Sequence, residues 1–122
     1  MKETKFLEKY DKTKICEIYN SWPEIAQETF ESDLQPVEFD NIDHIVFSGM
    51  GGSGALGDIF SAILSRTAIH VSVVKGYSLP KTVNKKTLVV ITSVSGNTQE
   101  TFSVLNEAKK MRANIIAFSS GG

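Results

Sequence analysis

Two short stretches hold most of the residues that could do chemistry. In the first, Gly49-Met50-Gly51-Gly52-Ser53-Gly54 follows the apolar run Ile45 to Phe47 and precedes apolar residues at helical spacing. Glycines let a backbone approach an anion, and the N–H groups of a helix start meet it with the favourable end of the helix dipole. Gly49, Gly51 and Gly54 also fit the G-x-G-x-x-G spacing of a dinucleotide loop. In the second stretch, Ser93-Val94-Ser95-Gly96-Asn97-Thr98 stands between another apolar run and another helical pattern. Hydroxyls and backbone N–H groups so placed make a neutral donor nest suited to a phosphomonoester. Asn97 is expected to cap the helix that follows, with Glu100 as the return partner of a capping box.

A third position separates the ligand classes. A dinucleotide site calls for an acid near the end of the second strand, and this chain has Lys75 there, between Val74 and Gly76. A single phosphate is therefore favoured. His44 and His70 fall in or beside strands and are read as structural. Asp58 lies early in the helix after the glycines, where the dipole alone favours an acid.

The elements that must position these loops follow from periodicity. Residues 1–33 form an N-terminal helical segment, with Ile15, Ile18, Tyr19, Trp22, Ile25, Ala26 and Phe30 in one stripe. Pro23 divides it, so a second helix opens near Asn20 or Ser21 with proline in its first turn. After a connector, apolar β-rich runs at 44–48, 69–74, 87–92 and 114–118 alternate with helical patterns. The expected fold class is α/β: a three-layer αβα domain over 34–122 with a mostly parallel sheet. In the order 2-1-3-4, that of flavodoxin-like sheets, the glycine and serine loops face each other beyond the carboxyl ends of strands one and three.

The composition fits this picture. The chain has 122 residues, 41% hydrophobic and 22% charged, with a formal net charge of −1. No basic excess points to nucleic acid. Cys16, the only cysteine, rules out an intrachain disulfide and fits a reducing cytoplasm. No apolar run approaches membrane-spanning length, so no membrane partner is expected and the location expected is cytoplasmic.

With these pieces in view, the chain resembles the SIS (sugar isomerase) domain, and more closely the N-terminal half of bifunctional phosphoglucose/phosphomannose isomerases. The resemblance rests on Gly49 to Gly54 with Gly57-Asp58, Tyr77-Ser78-Leu79-Pro80, Ser93 to Thr101, and Ser119-Ser120-Gly121-Gly122. It implies that Ser53, Ser93, Ser95 and Thr98 hold the phosphate of a hexose 6-phosphate, with Gly51, Gly52 and Gly96 allowing close backbone approach. It implies no cofactor and no metal. Val94 departs from the family, which usually has tyrosine between the two serines. The resemblance also implies a second domain of similar size carrying the catalytic glutamate and ring-opening histidine, so no residue here is assigned a catalytic role. A fifth strand is expected to be missing, leaving strand 114–118 as an edge that a homodimer would cover. A stand-alone phosphosugar sensor is the alternative. A flavodoxin-like FMN protein is a poorer one, because its phosphate loop would follow the first strand.

Overall fold

The computed structural model describes residues 7, 9–33 and 35–122. The chain divides after Val37 into two compact units. In the first, helix α1 spans Ile15–Asn20 and helix α2 spans Trp22–Glu31. The Asp11 carboxylate accepts the N–H groups of Ile15 and Cys16, both at 2.8 Å, and so satisfies two orphan donors of α1. Pro23 sits in the first turn of α2, where its missing N–H costs nothing. The expected break between the two helices is present, and the stripe Ile18, Tyr19, Trp22 and Ile25 is about half exposed.

The second unit holds four strands: β1 His44–Ser48, β2 His70–Val74, β3 Thr87–Ser93 and β4 Asn114–Ser119. Helix α3 spans Gly51–Leu64 and helix α4 spans Gln99–Lys110. The strands lie in the order β2-β1-β3-β4, and all three pairings are parallel. This is the expected α/β sheet, wholly rather than mostly parallel. The strands alternate faces. Val46, Val89 and Ile91 point to one side, where Val104 and Ala108 of α4 complete a buried cluster with Leu79 and Val83. Phe47 points to the other, where its ring stacks on Phe60 of α3 with centroids 5.4 Å apart.

The crossover from β2 to β3 carries turns and no helix. It plugs Leu79 and Val83 into the core instead, and the Leu79 N–H donates to Glu107 Oε2 at 2.6 Å. On the opposite face α3 comes close to the sheet because glycine removes the obstruction. A Cβ at Gly57 would stand 2.9 Å from Phe47 Cβ, and one at Gly54 only 2.6 Å from the Gly49 carbonyl oxygen.

Candidate functional site

Because the strands are parallel, β1 and β3 end on the same edge of the sheet, and their following loops meet there. Between them lies a cavity of about 450 Å³ lined by Met50, Gly52, Ser53, Thr92, Ser93, Val94, Ser95 and Thr98. This volume falls within the usual range for small-molecule sites, roughly 300–1,000 Å³. The lining contains no charged side chain.

β3 reaches Ser93, one residue past its expected end, and this makes Ser93 a buried strand residue rather than a loop residue. Its Oγ lies 3.1 Å from Thr98 Oγ1 and accepts the Gly96 N–H at 3.2 Å. Ser95 Oγ lies 3.4 Å from the same threonine hydroxyl and accepts the Asn97 N–H at 3.3 Å. Gly96 has a φ of +69°, a left-handed conformation that suits glycine, and it turns the chain toward α4.

Thr98, not Asn97, occupies the N-cap of α4. That corrects the capping expectation, because the turn at Gly96 delays the helix by one residue. Asn97 Nδ2 donates instead to the Ser95 carbonyl at 3.3 Å. Thr98 makes no side-chain bond to the helix either, since its hydroxyl is turned to the two serines. Glu100 does not complete a capping box. Its carboxylate takes the Tyr77 phenol, whose pKa is raised above its ordinary value by that hydrogen bond and by the nearby negative charge.

On the facing wall, Met50 stands at the N-cap of α3 with no side-chain cap, so this helix too presents its first N–H groups uncapped. Gly51 takes a φ of +53°, and neither Gly51 nor Gly52 has any atom within 4 Å of where a Cβ would stand. Gly49 and Gly54, the outer members of the apparent dinucleotide spacing, are packing positions held tight against the first turns of α3. Of the seven residues singled out from the sequence, Gly52, Ser53, Ser93, Ser95 and Thr98 line the cavity. Gly51 and Gly96 are not part of the lining.

The other candidates lie elsewhere. Asp58 is engaged by Lys75 Nζ at 2.6 Å, which also accounts for the lysine that argued against a dinucleotide. His44 and His70 open β1 and β2 and pair in register, so they occupy the opposite edge of the sheet from the cavity. His44 Nε2 lies 2.9 Å from Ser72 Oγ and His70 Nε2 lies 3.3 Å from it, with ring centroids 4.6 Å apart. Burial, then the neighbouring His70, lowers the pKa of His44 against a smaller opposing effect of Asp43. Among the described residues there is no cluster of metal-ligating side chains and no helix long and apolar enough to cross a membrane.

A third loop belongs to this edge, and its contact with the serine loop is absent from the motif reading. Ser120, just past β4, donates its N–H at 3.3 Å and its Oγ–H at 2.6 Å to the carbonyl of Val94. Any side chain at Gly96 would collide with the carbonyl of Gly121. Its only signal in the sequence is Ser-Ser-Gly-Gly after an apolar strand, which by itself says turn.

Comparison with known proteins agrees with this geometry. The chain is 39% identical over 109 residues to the bifunctional phosphoglucose/phosphomannose isomerase of Caldicellulosiruptor bescii, a match covering 86% of this chain and 32% of that one. It is 46% identical over 80 residues to the enzyme of the same description from Thermoplasma volcanium, covering 66% and 26%. It is 30% identical over 109 residues to the D-glucosamine-6-phosphate 4-epimerase of Sulfolobus acidocaldarius, covering 88% and 34%. A Bacillus subtilis protein solved as a phosphosugar isomerase superposes with a TM-score of 0.57 at 28% identity, covering 65% of this chain and 26% of that one. The chain thus spans about a third of the length of the curated relatives it matches, less than the half expected from the resemblance. Residues 38–121 match the sequence model of the SIS domain. A parallel sheet whose glycine and serine loops meet over one uncharged cavity is thus the setting of a match that spans most of the chain, and the chain belongs to the SIS domain family.

Proposed function

We propose that residues 38–122 form the hexose 6-phosphate-binding domain of an aldose–ketose isomerase acting on glucose 6-phosphate or mannose 6-phosphate. In this reading Ser53, Ser93, Ser95 and Thr98 donate hydrogen bonds to the phosphate. Gly51, Gly52 and Gly96 keep the backbone close to it. The observation that carries the reading is the gathering of five hydroxyl residues, Ser53, Thr92, Ser93, Ser95 and Thr98, and two uncapped helix N-termini at one cavity that holds no charged side chain. Neutral donors and helix dipoles together recognise a phosphate without a cation. The relatives' names differ in the sugar and in the reaction and share a hexose phosphate, which is the part this cavity suits.

Turnover needs more than this. Moving a proton between adjacent carbons takes a base within hydrogen-bond reach of substrate. No carboxylate lines the cavity, and of those on the helices that flank it, Glu100 is engaged by Tyr77, Glu107 by the Leu79 N–H and Asp58 by Lys75. The 122-residue chain therefore binds the sugar phosphate and does not isomerise it alone. It is read as cytoplasmic. It works as a homodimer that covers the β4 edge, where Phe118 is 59% exposed. The test is thermal unfolding with fructose 6-phosphate, alongside a coupled isomerase assay on the same protein. A raised melting temperature with no turnover is expected. No shift at millimolar sugar phosphate would count against the site, and clear turnover would mean that a base has been overlooked.

A further inference from the structure

Ser120 is not part of the cavity lining, yet it is hydrogen-bonded to Val94, which is. Both of its donors, the N–H and the hydroxyl, converge on a single acceptor, the Val94 carbonyl. The turn that carries it is seated closely on the serine loop. A Cβ at Gly122 would stand 2.9 Å from Gly96 Cα, and one at Gly96 would fall on the Gly121 carbonyl. Ser119 closes that turn internally, donating its hydroxyl to the Gly121 carbonyl and accepting the Gly121 N–H at 3.2 Å.

Peptide planarity turns this clamp into a statement about the site. No peptide bond among the described residues is cis, and across a trans peptide the N–H points opposite to the carbonyl of the same plane. Drawing the Val94 carbonyl toward Ser120 turns the Ser95 N–H away from Ser120, and Val94 and Ser95 both belong to the cavity lining. That N–H makes no hydrogen bond within the chain among the described residues. Val94, 71% exposed, has little packing of its own to hold the plane.

We infer that Ser120 is a positioning residue for anion binding. By gripping the Val94 carbonyl it holds the Val94–Ser95 peptide with its N–H presented to a phosphate in the cavity. This rests on the phosphate-site reading above. Losing the hydroxyl leaves the backbone N–H of residue 120 as the only tie, so the peptide plane is freer to rotate and phosphate binding weakens.

The experiment titrates inorganic phosphate into the full chain and into Ser120→Ala, Ser120→Cys and Ser120→Thr. It follows both the dissociation constant and the Ser95 amide resonance. Removing one hydroxyl donor is expected to weaken phosphate by about fivefold in the alanine variant, the free-energy equivalent of one net hydrogen bond. The near-isosteric cysteine, a poor donor, should weaken it similarly and serves if the alanine variant does not fold. Threonine should restore it. In wild type the Ser95 amide should shift on adding phosphate, and in the weakened variants it should shift less at matched saturation. Wild-type affinity in a folded alanine or cysteine variant, with an unchanged Ser95 response, overturns the role of Ser120. If instead the wild-type chain binds no phosphate, the site reading itself fails. If wild type binds but the Ser93→Ala/Ser95→Ala double variant binds equally well, the anion sits elsewhere and both readings fall.

Discussion

Thr98 Oγ1 stands 3.1 Å from Ser93 Oγ, although Thr98 occupies the N-cap of α4. An N-cap hydroxyl ordinarily accepts from the second or third N–H of its helix. Here it is used across the loop, so it ties the end of β3 to the start of α4 and leaves the helix donors open. The helix goes without a side-chain cap, as the proposed phosphate site requires.

That trade can be reversed. Thr98→Asp supplies a better cap, worth about 0.5–1 kcal/mol to the helix, and places a carboxylate in the cavity wall. The unliganded melting temperature should rise by a few degrees while the response to fructose 6-phosphate disappears. Scanning calorimetry with and without ligand separates the two effects. A higher melting temperature with the ligand response intact would mean that the α4 terminus does not receive the anion.

The paired serines should matter for ligand more than for fold. Ser93→Ala with Ser95→Ala removes two hydroxyls at an expected cost of about 1–2 kcal/mol, since each net hydrogen bond is worth about 1 kcal/mol. A ligand at 100 times its dissociation constant stabilises wild type by about 2.7 kcal/mol. That increment should vanish in the double variant. Denaturant unfolding at fixed ligand concentration measures both quantities.

Two glycines should respond in opposite ways. Gly96→Ala meets a φ of +69° and the Gly121 carbonyl together, so destabilisation of about 1–3 kcal/mol is expected from backbone strain alone. Gly52→Ala meets no atom within 4 Å, so the fold should tolerate it while a methyl group intrudes on the ligand. Parallel melts and phosphate titrations of the two variants decide this. Unchanged ligand affinity in Gly52→Ala would remove Gly52 from the site.

The far edge of the sheet should be sensitive to acid. His44 has a pKa below its ordinary 6.5, chiefly through burial, then through His70, against the smaller opposing effect of Asp43. Asp43 itself is also approached by Lys86 Nζ at 3.9 Å. Folding therefore favours the neutral imidazole. Its contribution is fully present above about pH 6.5 and is lost as the pH falls toward the lowered value, because the unfolded chain then binds the extra proton. Stability measured from pH 8 down to pH 5 should decline in wild type and decline less in His44→Gln. Phosphate affinity above pH 7 should be the same in both, given the distance between the two edges.

Much of the fold was legible because its signals are local. Near-continuous apolar runs mark strands covered on both faces, and helical spacing between them forces parallel crossovers. Hence the strands and helices follow from pattern alone, whereas the order 2-1-3-4 enters as the condition under which the two loops meet, and it is the order the sheet adopts. The start of α4 stands one residue beyond where local pattern puts it, for an equally physical reason. Asn97 is an excellent capping residue in isolation, but Gly96 turns left-handed against Gly121, a contact with a partner 25 positions away that no local pattern reveals. The same holds for Gly54 and Gly57. In sequence they look like part of a ligand loop, and in space they let α3 approach β1 and β2.

The sequence by itself determined the class of sheet, the two loops and the residue types offered to a phosphate, because periodicity and glycine or hydroxyl content act within a few residues. Only the tertiary structure decided which of those groups face the cavity and which are spent on packing. It turned Thr98 toward Ser93 and Ser95, gave Glu100 to Tyr77 and Asp58 to Lys75, and set Ser120 on the Val94 carbonyl. The last three of those pairings join residues from distant elements, so they exist only once the fold has formed, and the first closes within the single turn from β3 to α4.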